Sequence, residues 1–131
     1  MIKEYSVSTN KKSEFINIDE IIKEAVSESG ISEGLCLVFI PHTTAAVTIN
    51  ENADPDVRRD IDMHMSKLVP AGGDYQHSEG NSDGHIKSSL FGPSLTLIVS
   101  NGNPVLGTWQ SVFFCEFDGP RNRKVVIRVS E

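Results

Sequence analysis

No stretch of this sequence is long and apolar enough to span a membrane as a helix. The longest apolar run, Leu35-Cys36-Leu37-Val38-Phe39-Ile40, falls well short of the about 20 residues that a spanning helix needs. The opening Met1-Ile2-Lys3-Glu4-Tyr5 lacks the apolar segment of a secretory signal, so a cytoplasmic location is expected, with no membrane partner. Basic residues are outnumbered, 12 against 18 acidic, for a net charge of −6. That deficit argues against a nucleic-acid partner, which calls for a basic face. Cysteine is scarce. Cys36 and Cys115 lie far apart, each in an apolar run, with no CxxC pairing, so both are expected as reduced core residues. There is one tryptophan, and neither an internal repeat nor a low-complexity tract.

What remains is a chain of 131 residues, enough for one domain with its own core. Ile2 to Thr9 alternates loosely as a strand, and Phe15-Ile16 suits a second short one. Asn17 is expected to cap a helix, with Glu20 in the capping-box position and Ile16 and Ile21 as a staple. Ile21, Ile22, Ala25 and Val26 form its apolar stripe, and Gly30 ends it. Gly34 to Ile40 reads as a buried strand, and Val47-Thr48-Ile49-Asn50 as another. Asp54 followed by Pro55 marks the start of a second helix. It runs to about Leu68, with Val57, Ile61, His64, Met65 and Leu68 on one face, and Pro70 beyond it.

Residues 70–84 read as a polar loop rich in Gly, Asp and Ser, of a length that points to a functional or a disordered segment. A short helical turn from His85 to Phe91 follows. The last third reads as β: Ser94 to Ser100, then Val105 to Phe117 interrupted near Gly107, then Lys124 to Ser130. In that last strand Val125, Ile127 and Val129 face one way, with Lys124 and Arg128 on the other. The sum is a single α+β domain over residues 1–131, a mixed or antiparallel sheet with two main helices.

Histidine carries the chemistry. His64 lies on the apolar stripe of the second helix and reads as a partly buried structural residue. His42 stands at a strand end, and His77 and His85 bracket Ser78-Glu79-Gly80-Asn81-Ser82-Asp83-Gly84, so these three are placed to converge. Three imidazoles leave an open fourth position on a zinc ion, and Glu79, Asp83 or Glu51 could orient them. A plain surface loop explains the same spacing. Neutral imidazoles suit zinc better than magnesium, which is kept as the alternative.

A second constellation suits an anion. Lys87, Ser88 and Ser89, at the start of a helical turn, offer a charge, hydroxyls and free N–H groups to a phosphate. Arg58, Arg59, Arg121 and Arg123 could add charge, although Arg123 and Lys124 read better as solvated surface. Thr108-Trp109-Gln110 is the third. A lone tryptophan is more often core, yet after Gly107 and beside an amide Trp109 could stack on a heterocycle.

Three stretches together resemble the YjbQ-like family of small bacterial and archaeal proteins. The first runs from His42-Thr43-Thr44-Ala45-Ala46 through Glu51-Asn52-Ala53-Asp54-Pro55 to Arg59-Asp60. The second is Tyr75 to Leu90, containing His77, Glu79-Gly80, Asp83 and His85-Ile86-Lys87-Ser88-Ser89. The third is Leu106-Gly107-Thr108-Trp109-Gln110, running on to Glu116. The resemblance implies a compact α+β domain that assembles as a homotrimer. It also implies a thiamine-phosphate synthase-type activity, joining a pyrimidine methyl diphosphate to a thiazole phosphate with release of pyrophosphate. One branch of the family has a longer spacer before the histidine matching His85; here Asp83-Gly84-His85 is compact.

Departure of a diphosphate needs its charge neutralised, and Lys87 with Arg58 or Arg121 suits that role. Trp109 would stack on the pyrimidine, with Gln110 or Glu51 on its amino group, and His42 or His85 would move a proton. The expected catalytic set is thus His42, Glu51, Asp83 and His85. Arg58, Lys87, Ser88, Ser89, Trp109, Gln110 and Arg121 are expected to bind a small phosphorylated metabolite. His42, His77 and His85 are the expected ligands of the divalent ion. A zinc-dependent hydrolase and a non-catalytic metabolite binder stand as the other readings.

Overall fold

The computed structural model of the protein describes residues 2–131. Eight strands and three helices follow one another as β1 (Ile2–Ser8), β2 (Glu14–Asn17), α1 (Asp19–Ser29), β3 (Gly34–Phe39), β4 (Ala45–Glu51), α2 (Pro55–Leu68), α3 (Ser82–Phe91), β5 (Ser94–Ser100), β6 (Asn103–Pro104), β7 (Gln110–Glu116) and β8 (Asn122–Ser130). Every strand pairing is antiparallel. Five strands form one sheet in the order β1-β8-β3-β5-β6, and three form a second, β2-β7-β4. The α+β expectation holds, with three helices rather than two.

Side-chain alternation explains the layering. Val7, Cys36, Val38, Leu97, Val99, Val125, Ile127 and Val129 leave the five-stranded sheet on one face. They meet Ala45, Val47, Val112 and Phe114 of the three-stranded sheet and Ile22, Ala25 and Val26 of α1. The opposite face of β7 sends Phe113 and Cys115 into a smaller cluster with Ala46 and Phe117, covered by Phe15 and Phe91. Strand β7 is therefore buried on both faces, from Ser111 to Glu116. Both cysteines are buried free thiols, as expected.

Several boundaries differ from the sequence reading. α1 begins one residue late, with Ile18 at the cap; Asn17 still accepts the Asp19 N–H at 2.8 Å, while Glu20 turns to Lys23 instead of closing a capping box. α2 starts as expected, with the Asp54 carboxylate accepting the Asp56 N–H, but none of its residues is buried. His64 is exposed and not a core histidine: of the stripe, Val57, Ile61 and Met65 are half-buried, while His64 and Leu68 face solvent. The strand expected from Val105 starts only at Gln110, since a turn over Thr108 and Trp109 intervenes.

α3 is a full ten-residue helix that begins at Ser82, inside the expected loop. Its buried stripe is Asp83, Gly84, Lys87 and Ser88, helical in spacing but not apolar, so hydrophobic periodicity misses it. Gly84 is what lets the helix sit close: a Cβ there would lie 2.9 Å from the Phe117 carbonyl oxygen and 3.3 Å from Thr44 Cγ2.

Candidate functional site

Strand parity places a charged pair at the end of the inter-sheet core. Arg123 shares the inward face of β8 with Val125 and Ile127, and Glu116 shares that of β7 with Val112 and Phe114. Arg123 is only 5% exposed and Glu116 is fully buried. The guanidinium donates from Nε to Glu116 Oε1 at 2.8 Å and from Nη2 to both Glu116 Oε2 and Thr44 Oγ1. Thr9 Oγ1 and the Asp118 N–H donate to the same carboxylate, at 2.7 and 3.0 Å. Burial alone would raise the Glu116 pKa; Arg123 and these donors outweigh it and hold the carboxyl below its ordinary value. The reading of Arg123 as solvated surface is therefore corrected.

Arg123 of this pair lines a cleft of about 320 Å³. The β3–β4 connection contributes Thr43 and Thr44, the α2–α3 loop His77 and Glu79, α3 and its cap His85 and Asn81, and the β7–β8 turn Asp118 and Arg121. His77 and His85 meet edge to face with ring centres 5.3 Å apart, and Glu79 Oε2 lies 3.9 Å from His77 Nε2. Arg121 donates from Nε to the Asp118 carbonyl at 2.7 Å and from Nη2 to its carboxylate at 3.1 Å. Asn81 Nδ2 donates to that carboxylate at 2.8 Å. Burial would raise the Asp118 pKa, but Asn81 and Arg121 more than offset it, so its pKa is lowered. The Asn81 side-chain oxygen is buried in the cleft wall without a donor. Among the cleft residues, sequence reasoning missed Thr43, Thr44, Asn81 and Asp118 and misjudged Arg123; its parity with Val125 and Ile127 was the available signal.

The expected histidine triad is only half assembled. His85 shares the cleft with His77 and a neighbouring depression with His42, but His42 and His77 line no common space. His42 Nε2 accepts the Lys124 N–H at 2.9 Å. Burial lowers the His42 pKa first, and the positive charge of Arg123 adds to that. Among the described residues no group of three or more His, Cys, Asp or Glu side chains is placed to hold a metal ion. The three imidazoles therefore do not fit a single zinc or magnesium ion within one chain.

Asp83 is 1% exposed; its Oδ2 accepts from Lys12 Nζ at 2.7 Å and lies 4.0 Å from Lys87 Nζ, while Oδ1 has no donor. Lys87, Ser88 and Ser89 do not open a helix. They sit in the second half of α3, where their N–H groups belong to the helical ladder. Ser88 Oγ donates to the Thr43 carbonyl at 2.6 Å and Ser89 Oγ to the His85 carbonyl at 2.9 Å. Lys87 is buried, its ammonium 5.9 Å from the centre of the Phe117 ring. Glu51 pairs with Gln110 at the far end of β4, while Ala45 pairs with Glu116 at the near end. Seven residues of strand separate the ends by about 20 Å. Glu51, Trp109 and Gln110 are thus remote from the cleft of their own chain. Trp109 is not core: it is 63% exposed, and Gln110 Oε1 accepts the Gly107 N–H. Arg58 and Arg59 lie in a separate depression beside α2.

Comparison with known proteins gives one consistent result. The family described as "UPF0047 protein YjbQ-like" matches residues 3–131. UPF0047 protein MJ1081 of Methanocaldococcus jannaschii is 50% identical over 129 residues, covering 98% of this chain and 94% of that protein. UPF0047 protein YugU of Bacillus subtilis is 45% identical over 130 residues, 98% of each chain. A crystal structure of a yjbq/upf0047 family protein from Clostridium acetobutylicum superposes with a TM-score of 0.96 at 55% identity, covering 98% of this chain and 99% of that one.

Proposed function

From the premise that this chain belongs to the UPF0047 YjbQ-like family, we propose that the His77–His85 cleft binds and turns over a small phosphorylated metabolite. The observation that carries the reading is the lining itself. Two imidazoles, one with a carboxylate at 3.9 Å, stand beside an arginine and a buried amide oxygen that lacks a donor. An imidazole with a nearby carboxylate suits proton transfer near neutral pH. Arg121 spends Nε and Nη2 on Asp118, which fixes its plane and leaves Nη1 for a phosphate oxygen. The orphaned Asn81 oxygen calls for an N–H or O–H on the same ligand, because a buried acceptor without a partner is unfavourable.

A ligand with an amino group at one end and a diphosphate at the other meets both demands. The synthase-type transfer implied by the resemblance uses such a ligand, a pyrimidine methyl diphosphate, with a thiazole phosphate as acceptor. In this reading the thiazole nitrogen forms the new C–N bond to the pyrimidine methylene as the C–O bond to the diphosphate breaks, and Arg121 with an imidazolium, His85 or His77, takes up the charge of the departing pyrophosphate. No step is assigned to a metal.

The proposal includes a cytoplasmic homotrimer. The outer face of the five-stranded sheet leaves Leu35, Leu37, Phe39 and Ile98 exposed, and α2 has no buried face. Contiguous apolar surface of this kind favours association. Assembly also supplies the one route by which Trp109, Gln110 and Glu51 can join a cleft, that of a neighbouring subunit. The buried free thiols suit a reducing compartment.

The test is incubation of the protein with both phosphorylated substrates and mass spectrometry of the products. Thiamine phosphate plus pyrophosphate, lost in His85→Ala, is the expected result. Orthophosphate without coupling supports the hydrolase reading, and ligand binding without turnover supports the binder. Light scattering at the trimer mass supports the assembly; a concentration-independent monomer rejects it.

A further inference from the structure

On the other side of the β1–β2 loop lies a second depression of about 320 Å³, between that loop and the first two turns of α2. Lys11, Arg58 and Arg59 line it. Among the described residues none of these three makes an ion pair. That is unusual in a chain of net charge −6, where carboxylates are in excess. The Arg58 guanidinium is held over the buried Phe113 ring, 5.2 Å from its centre, and its Nε is buried and donates no hydrogen bond. A charged donor held in place by an aromatic face and left without an acceptor is prepared for one.

The two carboxylates in the lining are held by backbone N–H and hydroxyl donors of the β1–β2 loop and not by the three cations. Glu14 Oε1 accepts the Asn10 N–H at 2.8 Å and the Lys11 N–H at 3.4 Å, and Asp62 accepts the Ser13 hydroxyl. Three cations against two carboxylates leave the lining net positive. We propose that this depression is a second binding site, separate from the His77–His85 cleft, for the phosphoryl oxyanion of a phosphate or diphosphate group. Arg58 supplies the fixed fork, and Lys11 and Arg59 close over the anion from the loop and the helix.

The experiment is NMR titration of the full chain at low salt with inorganic phosphate, with pyrophosphate and with glycerol 3-phosphate, following the backbone amides. Saturable shifts at residues 11–14 and 55–62 are expected, weakening with added salt. Affinity at those amides is expected to fall about tenfold or more in the Lys11→Gln/Arg59→Gln double variant, whose changes are solvent-facing. Arg121→Gln, which alters only the other cleft, is expected to leave them unchanged. Tighter binding of glycerol 3-phosphate than of inorganic phosphate identifies an esterified ligand, and the reverse order a free oxyanion. Absence of saturable shifts at 11–14 and 55–62, or equal affinity in the double variant, overturns the site. Because the amides of 77–85 report the first cleft separately, failure of one site does not count against the other.

Discussion

Arg123 of β8 and Glu116 of β7 form a buried ion pair that ties the two sheets together directly beneath the cleft. Thr9 Oγ1 and the Asp118 N–H also donate to Glu116, and Thr44 Oγ1 accepts from Arg123. Removing one partner strands the other charge in the core. Arg123→Ala is expected to destabilise the fold by about 3–5 kcal/mol. Urea unfolding checks this, with the exposed Arg128→Ala as a control that moves little.

The same groups set the acid limit of stability. The Glu116 and Asp118 carboxyls lie below their ordinary 4.5 and 3.8 in the folded chain, so their stabilisation is complete above those values. It is lost as pH falls through the lower folded values. His42, also lowered, stabilises fully above about 6.5 and loses that contribution as pH falls from there. Urea midpoints measured across pH are expected to decline in two stages, first below 6.5 and then below 4.5. In Glu116→Gln the second stage is expected to flatten.

Gly84 tests the fit of α3. Its Cβ position lies 2.9 Å from the Phe117 carbonyl oxygen, a backbone atom that cannot swing away. Gly84→Ala is expected to destabilise by about 1–3 kcal/mol despite the better helix propensity of alanine. Thermal unfolding decides it.

Burial pushes the Cys36 thiol up to about 11 and raises Cys115 as well. Neither presents a thiolate near neutral pH. Iodoacetamide is expected to leave both unmodified in the native protein and to label both in urea.

The sequence revealed most where periodicity and burial coincide. β3, β5 and α1 are read correctly because Cys36, Val38, Leu97, Val99, Ile22 and Val26 carry the expected spacing into the core. α3 was shortened because its buried face is polar, and Arg123 was misplaced because a charge was read as surface against the parity of its own strand. α2 shows the converse. Its apolar stripe is only half-buried in one chain, so amphipathicity located the helix without locating what it faces. For the site, His77, His85 and Arg121 were legible from the loop they bracket and the turn they follow. Asn81 and Asp118 were not, since their roles come from a contact between elements distant in sequence. Glu51, Trp109 and Gln110 failed for a geometric reason, the length of β4 and β7.

The reading that the His77–His85 cleft holds a phosphorylated ligand rests most directly on Arg121, whose side chain is half exposed and whose Nη1 is free. Calorimetric titration of the protein with the pyrimidine methyl diphosphate, parent against Arg121→Gln, tests it. Saturable binding weakened about tenfold or more in the variant, with an unchanged urea midpoint, is the predicted result. Equal affinity in parent and variant, or no binding by the parent, contradicts it.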